Sequence, residues 1–179
     1  MPPRFAPWLA VVGLAPAAQG ANRTGRMFTG DRSGEFLWAA LHRAGLANRA
    51  RSEHRGDGLA LDGVLITAPL RCAPPANRPA AAELDRCRAY LRADLAACRR
   101  LRVVLALGRV AHAAVLRLLR EQGSAPTPTP VFRHGAGHTL PGGVRLVDSY
   151  HVSQQNTFTG RLTPAMFDDV LRACRLAQR

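Results

Sequence analysis

The stretch GLAPAAQGANRTGRMFTGD occupies residues 13–31 and directly follows a short apolar run. Its four glycines and single proline allow sharp turns and a close approach of backbone to another molecule, and it ends in the carboxylate of Asp31. In open α/β sheets, the chemistry collects in loops that leave the carboxyl ends of buried strands. The pattern therefore predicts a ligand-binding loop behind a strand, and residues 13–31 are called the glycine loop below.

Apolar runs alternate with helical patterns along the whole chain. Strands are predicted at residues 8–14, 59–70, 103–107 and 144–150, and helices at residues 35–44, 81–100, from Gly108 onward, and 163–176. Such an order predicts a single α/β domain over residues 1–179, a three-layer α/β/α arrangement with a central, mostly parallel four-stranded sheet. Asp31 or Ser33 is expected to cap the first helix and Thr163 the last.

Composition limits the class of protein. The chain has 179 residues, 47% of them hydrophobic, which suits one domain with a substantial core. No apolar run approaches the roughly 20 residues of a membrane span. Residues 1–10 lack the small-residue cleavage site of a signal peptide, so we expect a cytoplasmic protein without a membrane partner. Nothing in the sequence indicates an oligomer, so we expect a monomer.

The formal charge of +13 is large for this length, and all 25 basic residues are arginine. A basic surface favours phosphate-bearing partners such as nucleic acid. Codon usage in a GC-rich genome would explain the choice of arginine over lysine, but it leaves the charge in place. Nucleic acid is therefore the favoured partner.

Several common sites are excluded by their spacing. The glycine loop lacks the Gly-Lys-Ser/Thr ending of a P-loop and the Gly-x-Gly-x-x-Gly of dinucleotide folds, and no serine lies in a Gly-x-Ser-x-Gly elbow. The segments that follow the predicted strands share one rim of the sheet. On that rim remain Asp31, Asn77 and His151.

The cysteines form no Cys-x-x-Cys pair and hence no recognisable zinc or redox motif. Cys87 and Cys98 lie on a helical apolar stripe with Leu84, Leu91 and Leu95, where a cysteine is usually a small core residue.

Five segments in order carry a resemblance to a known family. They are GLAPAAQGANRTGRMFTGDRSG (residues 13–34), RCAPPANRP (71–79), VVLALGRVA (103–111), RHGA (133–136) and SYHVSQQNTFTGRLT (149–163). Together they resemble the family 5 uracil-DNA glycosylases, from about residue 10 to the end of the chain. The resemblance implies a monofunctional hydrolase of base-excision repair that removes uracil from double- or single-stranded DNA, with hypoxanthine or modified pyrimidines as further substrates.

The resemblance also implies catalytic roles, each beside a plainer structural interpretation. His151 would donate a hydrogen bond to the departing base; the plainer interpretation is a histidine that only holds its own loop in place. Asp31 would position water and offset positive charge on the sugar, or it caps a helix. Asn77 would lie near the sugar and the water, although an asparagine in a proline-rich loop is commonly a turn residue.

The base pocket implied by the resemblance is mostly apolar. Phe28 would stack on the extruded base, although a lone phenylalanine also suits the core. Other glycosylase families place a polar catalytic residue at Ala15 and Pro16 and a base-reading asparagine at Ala68, so this pocket is expected to discriminate less between bases. The implied substrate-binding residues are Gly13, Leu14, Ala15, Pro16, Phe28 and Ala68.

DNA contacts are implied by the same resemblance. The loop at residues 154–161 would enter the minor groove and fill the gap left by the extruded nucleotide, through Gln154, Gln155 and Asn156. Phosphates would be contacted by Arg23, Arg26 and Arg161. The plainer interpretation of any one of these arginines is a solvated surface residue.

The family holds a four-iron, four-sulfur cluster through four cysteines. Cys72 and Cys87 match the later two ligands, whereas Cys98 and Cys174 match none. The earlier pair belongs to an N-terminal segment of the family that this sequence does not include. Either the sequence is a truncated reading of a longer gene or the cluster has been lost. We expect truncation, with a Cys-x-x-Cys upstream in the extended reading frame. Two further functions remain open: a catalytically inactive or truncated DNA-binding remnant of the same fold, and an α/β enzyme that acts on free nucleotides.

Overall fold

The computed structural model describes residues 6–178, so the predicted domain and the segment at residues 1–10 are described only from Ala6. The strands are β1 (Leu9–Val12), β2 (Val64–Thr67), β3 (Val103–Leu107), β4 (Gly137–Thr139) and β5 (Arg145–Ser149). The α-helices are α1 (Ala21–Thr24), α2 (Arg32–Arg43), α3 (Ala81–Ala97), α4 (Arg109–Glu121), α5 (Gln154–Phe158) and α6 (Pro164–Leu176), with 3₁₀ turns at Pro75–Asn77 and Pro141–Gly143.

The sheet has five strands in the order β2-β1-β3-β5-β4, and the first four are parallel. The three-layer α/β/α prediction is confirmed, but the predicted count of four strands is wrong. The additional strand, β4, pairs antiparallel with β5 at the sheet edge. It has only three residues, Gly-His-Thr, which is too short and too polar to show a strand pattern in the sequence.

Several predicted boundaries were too wide. The second strand covers Val64–Thr67 instead of residues 59–70, because Leu61 forms an isolated bridge with Ala47 and Gly63 turns the chain at a φ of +66°. Helix α3 ends at Ala97 instead of residue 100. Local apolar content extends beyond the residues that form regular hydrogen bonds.

The sheet is buried on both faces, as expected for parallel strands. Leu9 and Val11 of β1 pack with the apolar sides of α2 and α6, including Trp38 and Phe167. Alternate residues of the same strand, such as Ala10, pack instead with α3 and α4. None of the helices in residues 6–178 is long and apolar enough to span a bilayer.

The end of the glycine loop is fixed by an unusual backbone conformation at Phe28, where φ is +55°. Its carbonyl oxygen accepts a hydrogen bond of 2.5 Å from Nε1 of the buried Trp38. Gly34 lies against the same carbonyl, since a Cβ there would be 2.0 Å from the Phe28 oxygen. Contacts to α2 therefore hold Phe28 in a left-handed conformation that non-glycine residues rarely adopt.

The middle of the glycine loop is attached to the segment at residues 48–59. The Arg26 guanidinium pairs with Asp57 at 2.7 Å and donates to the Ser52 hydroxyl and the Arg55 carbonyl. The hydroxyl groups of Thr29 and Ser52 lie 2.6 Å apart. Burial alone would raise the pKa of Asp57, but hydrogen bonds from Arg26 and from the backbone amides of Leu59, Glu53 and His54 hold it well below its ordinary value.

Replacing Trp38→Phe should destabilise the protein by about 1–3 kcal/mol, because the buried Phe28 carbonyl loses its donor. Urea unfolding followed by far-UV circular dichroism measures the change. Trp8→Phe is the matched control, because Trp8 is only partly buried and should cost less. Equal losses in the two variants would contradict the role given to the Trp38 hydrogen bond.

Asp57→Asn should lower the free energy of unfolding at neutral pH by about 2 kcal/mol. Because the pKa of Asp57 is lower in the folded state, its contribution is present above the unfolded-state pKa and disappears as the pH falls below it. The stability difference between the wild type and the variant should therefore shrink in acid. Asp62→Asn, at an exposed position, should show no such pH dependence.

Candidate active site at the carboxyl ends of the strands

A cavity of about 650 Å³ opens at the carboxyl ends of β1 and β5. It brings together the three residues singled out on the sheet rim, Asp31, Asn77 and His151. Its remaining lining residues are Leu14, Ala15, Ala17, Phe28, Ser33, Ser153, Gln154, Gln155 and Asn156. Residues far apart in sequence thus form one site because parallel strands deliver their following loops to the same edge.

Phe28 forms the apolar wall of this cavity and is also part of the core. Its side chain is 6% exposed, and its ring centroid lies 6.3 Å from that of His151. Gly13 lies behind the ring, since a Cβ at this position would be 2.9 Å from the Phe28 ring. The two sequence interpretations of Phe28, core residue and pocket wall, are therefore compatible.

The expected base-pocket positions are not all placed alike. Leu14 and Ala15 line the cavity, as the resemblance implied. Pro16 and Ala68 are not among its lining residues, and Ala68 is buried at 2% exposure directly after β2. Ala68 therefore backs the site instead of facing the cavity.

Asp31 both caps a helix and faces the cavity. Its Oδ1 accepts a 2.8 Å hydrogen bond from the Gly34 amide at the start of α2, which confirms the predicted cap. A Cβ at Gly20 would lie 2.5 Å from Oδ2, so the loop leaves room for this carboxylate only because residue 20 is glycine. The capping bond uses one carboxylate oxygen and leaves Oδ2 for other chemistry.

His151 comes two residues after β5 and lines the same cavity as Asp31. Burial lowers its pKa, and the nearby negative charge of Asp31 only partly opposes this effect. The imidazole is therefore neutral at physiological pH and can donate one N–H. The Asn156 side chain donates to the His151 carbonyl at 2.8 Å, which ties the backbone of this residue to α5.

Asn77 is exposed and lies in a strained turn. It follows Ala76 in the 3₁₀ turn after β2, and both residues have positive φ values, +50° for Ala76 and +55° for Asn77. Asparagine tolerates this conformation better than most residues do. The turn interpretation is correct for the backbone, and the same turn places Asn77 at the cavity.

The predicted DNA-contact residues fall into two groups. Gln154, Gln155 and Asn156 begin α5 at the cavity, and Arg23 is exposed. Arg26, however, is occupied by Asp57, Ser52 and the Arg55 carbonyl, and its side chain is only 18% exposed. This geometry favours a structural role for Arg26 over the phosphate contact expected from the sequence.

A wider groove of about 970 Å³ adjoins the cavity and shares Asp31 and Gln154 with it. Arg32 and Arg51 lie along this groove, together with the acidic side chains of Glu35 and Glu53. These groove residues were not predicted from the sequence. The one local pattern that points to them is the arginine-rich run RARSEHR at residues 49–55.

The four cysteines occupy different surroundings. Cys98 and Cys174 are buried, and burial raises the pKa of the Cys174 thiol to about 12, so both are core residues and poor thiolate donors. Cys72 is exposed and Cys87 is half-buried. Within residues 6–178, no three His, Cys, Asp or Glu side chains lie close enough to hold a metal ion. Four-iron clusters need four ligands, so the thiols present do not fit one by themselves.

Comparison with known proteins agrees with the fold. The model of the "Uracil DNA glycosylase superfamily" matches residues 3–175. The "Type-5 uracil-DNA glycosylase" of Mycobacterium bovis is 53% identical over 170 residues, or 94% of this chain and 62% of that relative. The proteins of the same name from Mycobacterium leprae and Thermus thermophilus are 54% and 51% identical over 93% and 94% of this chain, and it covers 72% and 75% of their lengths. The chain thus spans less than two thirds of the length of the M. bovis relative. Because the family model matches nearly all of its own length, the chain belongs to the uracil DNA glycosylase superfamily.

Proposed function

We propose that the protein hydrolyses the N-glycosidic bond between uracil and deoxyribose in DNA and leaves an abasic site. The observation that carries this proposal is the meeting of Asp31, Asn77 and His151 in one cavity beside the ring of Phe28. This proposal is supported by membership of the superfamily and by the names of the similar proteins. The basic charge of the chain suits a polyanionic substrate.

The leaving base acquires negative charge as the glycosidic bond breaks, and His151 is placed to stabilise it. Its neutral imidazole can donate an N–H to a carbonyl oxygen of uracil. A donor that is already oriented in a partly dry cavity stabilises the transition state without a further cost of reorganisation. The Asn156 bond to the His151 backbone provides part of that orientation.

The sugar acquires positive charge at the same time, and Asp31 would offset it. Oδ1 is fixed by the Gly34 amide, so the direction of the carboxylate is set before substrate arrives. The free Oδ2 can orient the attacking water. Asn77, across the cavity, would supply a second polar contact to that water or to the sugar.

The cavity wall suits more than one base. Phe28 offers a planar face to any flipped base, and Leu14 and Ala15 add no hydrogen-bonding group from their side chains. We therefore include hypoxanthine and modified pyrimidines among the proposed substrates. Gln154 and Gln155 at the start of α5 would enter the minor groove, and Arg23 would contact a phosphate.

An iron-sulfur cluster would need ligands beyond the residues that the structure describes. We propose that Cys72 and Cys87 can serve as two of its corners only where two further thiolates are supplied, and no step of the reaction above depends on the cluster. Arg71, which precedes Cys72, packs its guanidinium on the ring of Tyr90, about one helical turn beyond Cys87.

The central test incubates the purified protein with a duplex that carries one uracil and detects abasic sites by alkaline cleavage. Strand cleavage at the uracil position supports the proposal, and His151→Ala should slow single turnover by about 30-fold or more, which corresponds to roughly 2 kcal/mol. His42→Ala, at an exposed position away from the cavity, is the control. Binding without abasic sites would indicate a remnant, and neither activity nor binding would favour an enzyme of free nucleotides.

The variant Asp31→Asn distinguishes the role of Asp31 as a helix cap from its proposed role in the reaction. Asparagine is also a good N-cap, so the variant should keep its stability within about 0.5 kcal/mol, whereas Asp31→Ala should lose about 1 kcal/mol. Both variants should lose most of the rate of uracil release, because both remove the charge. Full activity in the stable Asp31→Asn variant would show that Asp31 is only a cap.

A further inference from the structure

The residue before His151 is held on its ring and on its backbone. The ring of Tyr150 stacks on that of His134, with centroids 4.7 Å apart and planes 11° from parallel. The guanidinium carbon of Arg161 lies 4.6 Å from the Tyr150 centroid. A stacked imidazole covers one face of the phenol ring, so the guanidinium packs against the other face.

A hydrogen bond reinforces this stack. The backbone N–H of Tyr150 donates to Nδ1 of His134 at 3.1 Å. The bond requires an unprotonated Nδ1, and burial of His134 lowers its pKa, which keeps the ring neutral. His134 thus contacts the peptide unit that immediately precedes the His151 side chain.

The segment that carries His134 is anchored on β5. The Gly135 amide donates to the Asp148 carbonyl at 2.8 Å, and the Asp148 amide donates to the Ala136 carbonyl at 2.9 Å. The Arg133 amide donates to the Asp148 carboxylate at 3.3 Å. These bonds fix the backbone on both sides of His134.

The anchor itself is a buried pair between Asp148 and α4. The carboxylate of Asp148 is fully buried and lies 2.8 Å from Nδ1 of His112. Nε2 of His112 faces the Pro130 carbonyl at 3.2 Å, so both ring nitrogens face acceptors. Burial by itself lowers the pKa of His112, but the hydrogen bond and the charge of Asp148 raise it above its ordinary value. Nε2 of His138 lies 3.4 Å from the other Asp148 oxygen.

Arg161 connects the stack to the loop that we assign to DNA. The Leu162 amide donates to the Asn156 carbonyl at 2.9 Å, and Asn156 in turn donates to the His151 carbonyl. The stretch from His151 to Leu162 therefore closes on itself, and Arg161 packs the closing end onto Tyr150. The residues on either side of the proposed leaving-group donor are held as one unit.

We propose that His134 and Arg161 are positioning residues: His134 accepts a hydrogen bond from the Tyr150 amide, Arg161 packs on the Tyr150 ring, and together they fix His151 in the cavity. This inference rests on the proposed glycosylase function. It gives the RHGA segment a task in the reaction although none of its residues lines the cavity. It also gives Arg161 a task other than the phosphate contact expected from the sequence.

Two substitutions at His134 separate the hydrogen bond from the stacking. The side-chain oxygen of His134→Asn can replace Nδ1 as acceptor, whereas His134→Phe keeps a stacking ring and loses the acceptor. We expect His134→Phe to lower the single-turnover rate about tenfold or more and His134→Asn to recover most of that loss. Affinity for a duplex with an abasic-site analogue should change by less than about twofold in both variants. His42→Phe is the control for a new exposed phenylalanine.

The pH profile adds a result that a merely structural role would not give. The titratable and charged groups around His134 are Tyr150 and Arg161 in the stack, the adjoining Arg133, and Asp148 with His112 and His138 behind it. A protonated Nδ1 cannot accept, so the wild-type rate should fall in acid as His134 gains a proton. His134→Asn should remove the part that belongs to His134. An unchanged acid limb in this variant would argue against the inference.

Arg161 is tested by its effect on rate against its effect on affinity. Arg161→Lys keeps the charge but loses the planar group, and it should lower the rate while affinity and its salt dependence stay close to wild type. In the neutral variant Arg161→Gln, weaker binding with a smaller salt slope and an unchanged rate would identify a phosphate contact and overturn the positioning role.

Hydrogen exchange of the Tyr150 amide, measured without DNA, keeps this inference distinct from the proposed function. The amide should be protected in the wild type and in His134→Asn, and should exchange faster in His134→Phe. Absence of uracil release with this exchange pattern would refute only the glycosylase function. A protected amide and a wild-type rate in His134→Phe would overturn the positioning role itself.

Discussion

The carbonyl oxygen of Phe28 is the point on which the site depends. It accepts from Trp38, abuts Gly34, and holds its residue at a positive φ. Through this geometry the ring of Phe28 packs over Gly13 and the chain enters α2 with Asp31 in the capping position. A carboxylate and an aromatic wall are thus oriented by α2, whose other side is packed into the core.

Structural and chemical tasks are shared by the same residues. Asp31 caps α2 with one oxygen and also lines the cavity, and Phe28 is both core and wall. Such sharing makes the site rigid, because displacement of either side chain would cost helix or core stability. The ion pair of Arg26 with Asp57 holds the glycine loop in the same way.

The parallel sheet and the meeting of Asp31, Asn77 and His151 on its rim were predictable from the sequence, because both follow from the periodicity of strands and from the loops after them. The caps at Asp31 and Thr163 were predictable because aspartate and threonine are favoured residues at the start of a helix. Strand β4 was not, since three polar residues acquire strand geometry only by pairing with β5. The partner of Arg26 was also hidden, because Asp57 is distant in sequence and nothing local marks it.

The order of strands in the sheet has a kinetic meaning. The central strand β3 lies between β1 and β5, and β5 comes last of the three along the chain, so it can pair only after the residues up to Ser149 have been made. His151 comes two residues after β5, and the cavity closes with α5, which comes later still. During synthesis the first strands can therefore pack before the cavity is complete. The cavity closes only when most of the described residues have left the ribosome.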